Sequence, residues 1–506
     1  MNGCTKRFID YNIDQNYMIP LDTTKAFPEG SYPRFIVQII EQCVNEITFY
    51  PDETDKGGAA AHNPKAILSL LFYGFSQGVF SCRKIAHACE HDITYMFLSG
   101  FSTPDHSTIS RFMQKFPDQI SDIFSKVLYI GVNLGYVDYK LTATDGTKII
   151  ANASEYFSGT IEDFEKRVKK LKKRIDRLLE KSRATEDQED KADLEQRIEK
   201  LEKISDKIST FLEDTDKITK KDGKEVKQNI TDKDARTMRL NGKGYKPGYN
   251  GQVTVDVKNG LVVASDITNQ ANDINQFKPM MELTEKLAPP QWKEEIKNAI
   301  HLADNGYDSV DNMIYAQAKG LNILVAPGTT KDLFRENPQK ENKEETIGSK
   351  HCKKEKTATG YRLTCPGGQV LTAWLIRMCK GDTQCEFTIE NLELCMTCPF
   401  FNDCVGKLKD PRKKTFRIKK EILDNLDLIQ DNHTKIRSEE GKKLYSKRMG
   451  AVEKVFGHIK ENLGFRRMLV RGQEKVGLAW NMICTTYNLQ RIFNLMFPDR
   501  QKTVCT

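Results

Sequence analysis

Apolar and polar positions alternate with three different rhythms along this chain, and each change of rhythm predicts a change of structure. From Pro64 to Phe116 the apolar residues come in short helical clusters. The first, "NPKAILSLLFYGF", has Asn63 as N-cap and Pro64 at the first helical position. "SCRKIAHACEHD" follows with a cap at Ser81, then "FSTPDHSTISRFMQKF", whose helix carries Thr108, Ser110, Arg111, Gln114 and Lys115. Short helices with a polar, Arg-bearing last member suit a helix-turn-helix-like DNA reader, and suit a small bundle with a polar face as well. Between Phe164 and Leu212 the rhythm lengthens. Phe164, Val168, Leu171, Ile175 and Leu178 step by four and three, and Leu194, Ile198, Leu201, Ser205 and Ile208 repeat the pattern. That predicts a helical hairpin or coiled-coil insertion, a structural or oligomerisation arm with a solvated charged face.

From about Gly248 the period falls to two. "QVTVDV", a turn at Lys258-Asn259-Gly260, and "LVVASDIT" predict a β-hairpin. "DINQFKPMMELTEKLA" is helical with Asp273 as a candidate cap; "AIHLADNGYDS" is a strand entering a loop; "VDNMIYAQAKG" is a helix and "LNILVAP" a strand. Beyond Gly328 the chain is polar up to a cysteine region, and a last helical block runs from about Leu444 to Met496.

At 506 residues the chain is long for one core, so several domains or large insertions are expected. No apolar run approaches the roughly 20 residues of a membrane span, and the N-terminus lacks a secretory layout, which predicts a cytoplasmic protein with no membrane partner. The formal charge of +8 permits an anionic partner without demanding one.

The chemistry starts at "LTATDGTKIIANAS", a strand-like run with Asp145 and Gly146 inside it. Asp and Gly are poor strand formers. Either they mark a hairpin turn, or Asp145 is held at a working site. If the strands around 145, 255 and 263 form one sheet, the strand ending at Asp304 can lie beside the first, and both carboxylates project at one edge. Glu453 lies on a helix whose apolar stripe is Val452, Val455, Phe456 and Ile459, with Lys460 seven residues on and so on the face of Glu453. Three gathered carboxylates suit Mg²⁺ and phosphodiester chemistry. Taken singly, each acid reads equally as surface decoration.

In "TATDGTKIIANAS", "KPGYNGQVTVDV", "ADNGYDS", "AVEKVFGHIKENLGFRRMLVRG" and "AWNMICTTYNL", taken in this order, the chain resembles the bacterial insertion-sequence DDE transposases. The resemblance covers roughly residues 35–155 and 230–495. It implies a mixed α/β fold: a ribonuclease-H-like core, a mixed sheet flanked by helices, with a helical N-terminal DNA-binding domain and coiled-coil and Cys-rich insertions. The expected organisation is 1–136 for the N-terminal domain and 137–155 for the first core strand. The coiled-coil insertion takes 156–230, the continued core 231–330, the polar and Cys-rich insertion 331–440, and the C-terminal core helices 441–506. Asp145, Asp304 and Glu453 would be the catalytic metal ligands, holding two Mg²⁺ (or Mn²⁺). Metal-dependent cleavage at the ends of an insertion sequence and strand transfer into target DNA would follow. The implied partners are the element's terminal inverted repeats and target DNA, with the protein a dimer or higher oligomer on them. Tyr445, Arg448 and Lys460 match flanking residues of the family. Arg448 stands five residues before Glu453, one more than in the best-known subgroup, and five helical steps turn it well off the Glu453 face. The alternative is a catalytically decayed DNA-binding protein of transposase descent.

Further DNA contacts are expected from Arg111 and from the tail of the Glu helix, "GFRRMLVRGQEK", with Arg466, Arg467 and Arg471. "GKGYKPGYN" reads either as a strand-tracking segment or as a strand and turn. Seven of the 13 cysteines fall between Cys352 and Cys404. "CMTCPFFNDC" supplies Cys395, Cys398 and Cys404, and Cys365 before Pro-Gly-Gly is the choice for a fourth ligand of a structural Zn²⁺, with Cys385 and Cys379 competing. Buried free thiols are the other reading. The histidines show no metal-ligand spacing.

Overall fold

The computed structural model describes residues 22–44, 49, 61–219, 223–240, 242, 244–327, 349–358, 360–373, 375–379, 382–389, 393–404 and 414–498. Cys4, Cys505, Lys243 and the polar run 328–348 lie outside the described residues. The chain opens on helices α1 (Thr23–Ala26), α2 (Tyr32–Val44), α3 (Pro64–Ser76), α4 (Cys82–His91), α5 (Ile93–Leu98), α6 (His106–Lys115) and α7 (Pro117–Asn133). Their starts follow side-chain capping: the Asn63 carboxamide accepts from the Lys65 amide and Asp105 from the Thr108 amide. On α3, Ile67, Leu68, Leu70, Leu71 and Phe72 are all buried. A helix apolar on nearly every side must be covered on every side.

The sheet has six strands. β1 (Leu141–Ile150) is followed by short β2 (Ser158–Gly159), helices α8 (Ile161–Ala184) and α9 (Gln188–Glu213), and short β3 (Gln228–Asn229), which pairs with β2. Then come β4 (Arg236–Leu240), β5 (Gly244–Asp256), β6 (Leu261–Thr268), α10 (Phe277–Leu287), α11 (Lys293–Asn298), β7 (Ile300–Ala303), α12 (Val310–Lys319) and β8 (Asn322–Val325). β5 runs antiparallel to β1, β6 and β4, whereas β1, β7 and β8 are mutually parallel. β5 is long enough for β4 to pair with its first half and β6 with its second. β4, absent from the sequence reading, owes its existence to that spare edge. Buried Asp256 fixes the hairpin, its carboxylate accepting from the amides of Asp138, Tyr139 and Lys258.

Helices α8 and α9 pack on each other as an arm inserted between β1 and β4. Its small core is Phe164, Leu171, Ile208 and Phe211, with Phe164 edge-on to Phe211. The Cys-rich region folds as two three-stranded antiparallel sheets, β9 (Lys353–Thr357), β10 (Gly360–Thr364) and β11 (Val370–Thr372), then β12 (Leu375–Cys379), β13 (Asp382–Ile389) and β14 (Lys414–Lys419). Two four-residue helices, α13 (Glu393–Met396) and α14 (Phe401–Cys404), lie between β13 and β14. This region has its own core, around Leu363, Cys385, Phe387 and Phe416. The chain then runs through α15 (Lys420–Asp424), α16 (Leu426–Arg437), α17 (Glu439–Gly457), a π turn at His458–Asn462, and α18 (Gln473–Met496). No described helix is long and apolar enough to cross a membrane.

The main core is continuous from α2 to α18, because α18 packs on α3, α7 and β6 together. The close approach is at Gly251: a Cβ there would stand 2.8 Å from the Trp480 ring, whose Nε1 donates to the Gln252 carbonyl at 3.2 Å. Gly251→Ala therefore overpacks the sheet–helix contact. We expect a loss of about 1–3 kcal/mol, read as a lower urea midpoint at unchanged m-value.

Candidate active site

Asp145 sits mid-strand in β1, opposite Val253 of β5. Gly146 is no turn residue here. A Cβ on it would meet the Gln252 amide nitrogen at 2.2 Å and Asp273 Oδ1 at 2.4 Å, so only glycine lets those groups cross the strand. Parallel pairing of β7 with β1 ends at Ala303 against Thr144, which places Asp304, just past the carboxyl end of β7, beside Asp145 in the middle of β1. Neighbouring parallel strands in register deliver the two side chains to one face. Over that face lies α17, its Val452 and Val455 buried against the sheet, with Ile459 of the following π turn buried as well.

From α17, Arg448 reaches in. It is 6% exposed, and its Nη1 donates to Asp145 Oδ2 at 2.9 Å. Burial raises the Asp145 carboxyl to about 6, Asp304 pushes the same way, and the Arg448 guanidinium opposes both. Asp304 is also raised by burial, again against the pull of Arg448, while its Oδ1 accepts from the Gly306 amide at 2.8 Å. Two desolvated carboxylates on adjacent strands thus share one buried cation.

A third acid missed by sequence reasoning completes the rim. Asp273, expected to cap a helix, does not cap α10, whose first turn follows Gln276. Its Oδ1 instead accepts from Lys148 Nζ at 3.1 Å, Asn250 Nδ2 at 2.6 Å and Gln252 Nε2 at 2.7 Å. The available signal was polar residues at alternate positions of a buried strand: Asn250, Gln252 and Thr254 are all buried. Asp145, Lys148, Asp273, Asp304, Lys460 and Arg466 line one open cavity of about 420 Å³. Lys460 donates to Thr147 Oγ1, and Arg466 pairs with Glu461 beside it. A larger cavity of about 950 Å³ opens near the start of β1 among Lys140, Lys258, Lys447, Lys454 and Arg491. It is cationic but has no carboxylate pair, so the chemistry belongs to the smaller one.

The other expected site residues fall differently. Glu453 is exposed on α17 and its side chain does not line the cavity. The 140° that five helical steps put between Arg448 and Glu453 leaves room for only one of them on the inward face, and Arg448 holds it. Tyr445, expected at DNA, is only 2% exposed, with the Arg448 guanidinium 5.7 Å from its ring centre, so it supports that arginine from within the core. The segment 463–472 is not a helix tail. It crosses the end of β1, where the Met468 amide donates to the Ile150 carbonyl and Arg471 Nε to the Asn152 carbonyl, both at 2.8 Å. Gly464 and Gly472, with φ of +73° and +83°, bracket this extended run. Arg466, Arg467 and Arg471 are exposed along it, and Arg111 is exposed on α6.

Among the described residues the one His/Cys/Asp/Glu group with ligand atoms all within 4.8 Å is His87, Glu90 and His91 on the surface of α4. The i, i+4 spacing of "HACEH" is a metal-type spacing that the sequence reading passed over. The carboxylates of the active-site cavity are not drawn that close together, and neither are the cysteines.

Two family models match the chain: "Transposase domain (DUF772)" over residues 22–115 and "Transposase DDE domain" over residues 364–493. The first spans the N-terminal helices, the second the Cys-rich region and α15 to α18. No curated protein matches. Among solved structures, a pre-cleavage Mos1 transpososome aligns with 58% of this chain and 67% of its own at 9% identity. Its TM-score of 0.18 is too low to carry an argument.

Proposed function

We propose that this chain, matched by transposase family models over residues 22–115 and 364–493, is a DDE transposase that cuts DNA at the ends of an insertion sequence and joins the freed 3′ ends to target DNA. The observation that carries this reading is the pairing of Asp145 and Asp304 on adjoining strands under Arg448. Strand order β6-β5-β1-β7-β8, three antiparallel then parallel, supports a ribonuclease-H-like core. The donor set fits Mg²⁺ or Mn²⁺: hard carboxylate oxygens, buried enough to be raised in pKa and so short of positive charge. A divalent ion bound there supplies an activated water and a counter-charge for the leaving oxygen. Two ions would need a third carboxylate, for which Glu453 is proposed. Lys460 and Arg466, on the same cavity, hold the scissile phosphate, while Arg467 and Arg471 extend the cationic track along the backbone. Assembly as a dimer or larger on paired DNA ends is part of the proposal, with the α8–α9 arm as the candidate contact.

The test is incubation of the wild-type protein with DNA flanking its own gene, in Mg²⁺ and in Mn²⁺. Nicks at one defined end and joined products support transposition. Nicks without joining make it a nuclease. The exposed position of Glu453 favours a second reading, a decayed DNA-binding protein, and end binding with no cutting in either metal would put that reading first.

Cleavage should also depend on pH in a stated direction. With Asp145 raised to about 6, the acid form dominates below that value and the negative charge needed at the site is lost. Single-turnover cleavage is expected to fall about tenfold per unit below pH 6 and to level off above it. Folding responds oppositely. The folded state prefers the protonated acid, so this group's contribution is full below its ordinary 3.8 and is lost as pH rises through 6.

A further inference from the structure

Away from the carboxylates, four cysteines from separate turns meet at one point of the Cys-rich region. Cys365 follows β10, Cys395 lies on α13, Cys398 follows that helix, and Cys404 closes α14. They line a cavity of about 20 Å³, walled otherwise by Ile389, Phe401 and the Pro366–Gly367 turn. That is room for a single ion in an apolar shell, too small for an organic ligand. A Cβ on Gly367 would stand 2.6 Å from Cys398 Sγ and 3.7 Å from Cys365 Sγ, so glycine is what lets these two sulfurs approach across the turn. The Gln369 amide points at Cys365 Sγ at 3.3 Å, and the Cys398 amide donates to the Cys395 carbonyl at 2.9 Å. These are tight turns, and one of them aims an amide at a sulfur, as the knuckles that surround metal-bound cysteines do.

We propose that Cys365, Cys395, Cys398 and Cys404 bind one structural zinc ion that pins α13 and α14 to the β9–β11 sheet. Four soft thiolates with no open position suit a closed tetrahedral site. Cys385 is excluded because it is fully buried in the β13 core, away from this cavity. No three of the sulfurs lie within 4.8 Å of one another, so binding draws them in. The two four-residue helices that carry Cys395 and Cys404, with Cys398 between them, are short enough to shift. The core around Leu363, Phe387 and Phe416 is small, and a metal is one way a region of this size gains a fixed structure. The inference is independent of the proposed reaction, since zinc is read without DNA.

The experiment is elemental analysis of the full-length protein purified under reducing conditions, with Cys398→Ser, Cys365→Ser and Cys385→Ser. About one zinc per chain is expected in the wild type and in Cys385→Ser, and at least a fivefold loss in the other two. Should those two fail to fold, cobalt substituted into the wild type decides: strong thiolate charge-transfer and tetrahedral d–d bands sustain the site, and a weak octahedral spectrum overturns it. Folded wild type without zinc overturns it too. So does zinc that survives Cys398→Ser, or thiols freed by a reductant where a chelator has no effect.

Discussion

Asp145→Asn is expected to lower metal-dependent cleavage by at least ~10³-fold, with folding and DNA binding kept. Asparagine matches aspartate in volume and keeps one carbonyl oxygen, which can accept from Arg448 or from the Gly146 amide, though not from both, since the two donors meet different oxygens of Asp145. What it loses is the charge. Arg448 then faces Asp304 alone, which still offsets part of the buried guanidinium, so the stability loss should stay near 1–3 kcal/mol. Circular dichroism and a mobility-shift titration measure the retained properties, and single-turnover cleavage the lost one. Equal cutting by wild type and Asn variant would remove Asp145 from the reaction and take the strand alignment with it.

The sequence exposed those elements whose reason to exist is local. Alternation over "QVTVDV" and "LVVASDIT" with Asn259-Gly260 between them is a hairpin at β5–β6 wherever it occurs. Asn63-Pro64 starts α3 for reasons internal to the helix. Asp145 and Asp304 were readable because each ends or interrupts an apolar strand, where an acid has no packing role. What stayed hidden depends on the far side of a contact. Gly146 looks like a turn until Asp273 and Gln252 are seen crossing it. Asp273 looks like a cap until Lys148, Asn250 and Gln252 converge on it from two strands. The basic run after Leu463 has helix-like composition, yet Gly464 and Gly472 let it lie along the end of β1. Tyr445 and Arg448 were assigned to DNA by family resemblance, and resemblance does not say which face of α17 meets the sheet. Burial does.

Glu453→Gln is expected to cost cleavage as much as Asp145→Asn, whereas Glu461→Gln changes it less than ~10-fold. The two glutamates pose a choice that geometry and sequence answer differently. Glu461 lines the cavity, though its carboxylate is taken by Arg466. Glu453 has the seven-residue spacing to Lys460 but stands outside. It flanks the buried stripe of Val452 and Val455 by one residue, so a shift of one residue in the register of α17, about 100° of rotation, turns it inward and carries Arg448 off Asp145. The π turn at His458–Asn462 holds one extra residue at the end of that helix, the slack such a shift needs. Arg448, once released, is a cation free to meet phosphate. If Glu461→Gln abolishes cutting and Glu453→Gln does not, the third carboxylate is Glu461, α17 works in the register seen here, and Arg448 stays a fixed counter-ion of Asp145.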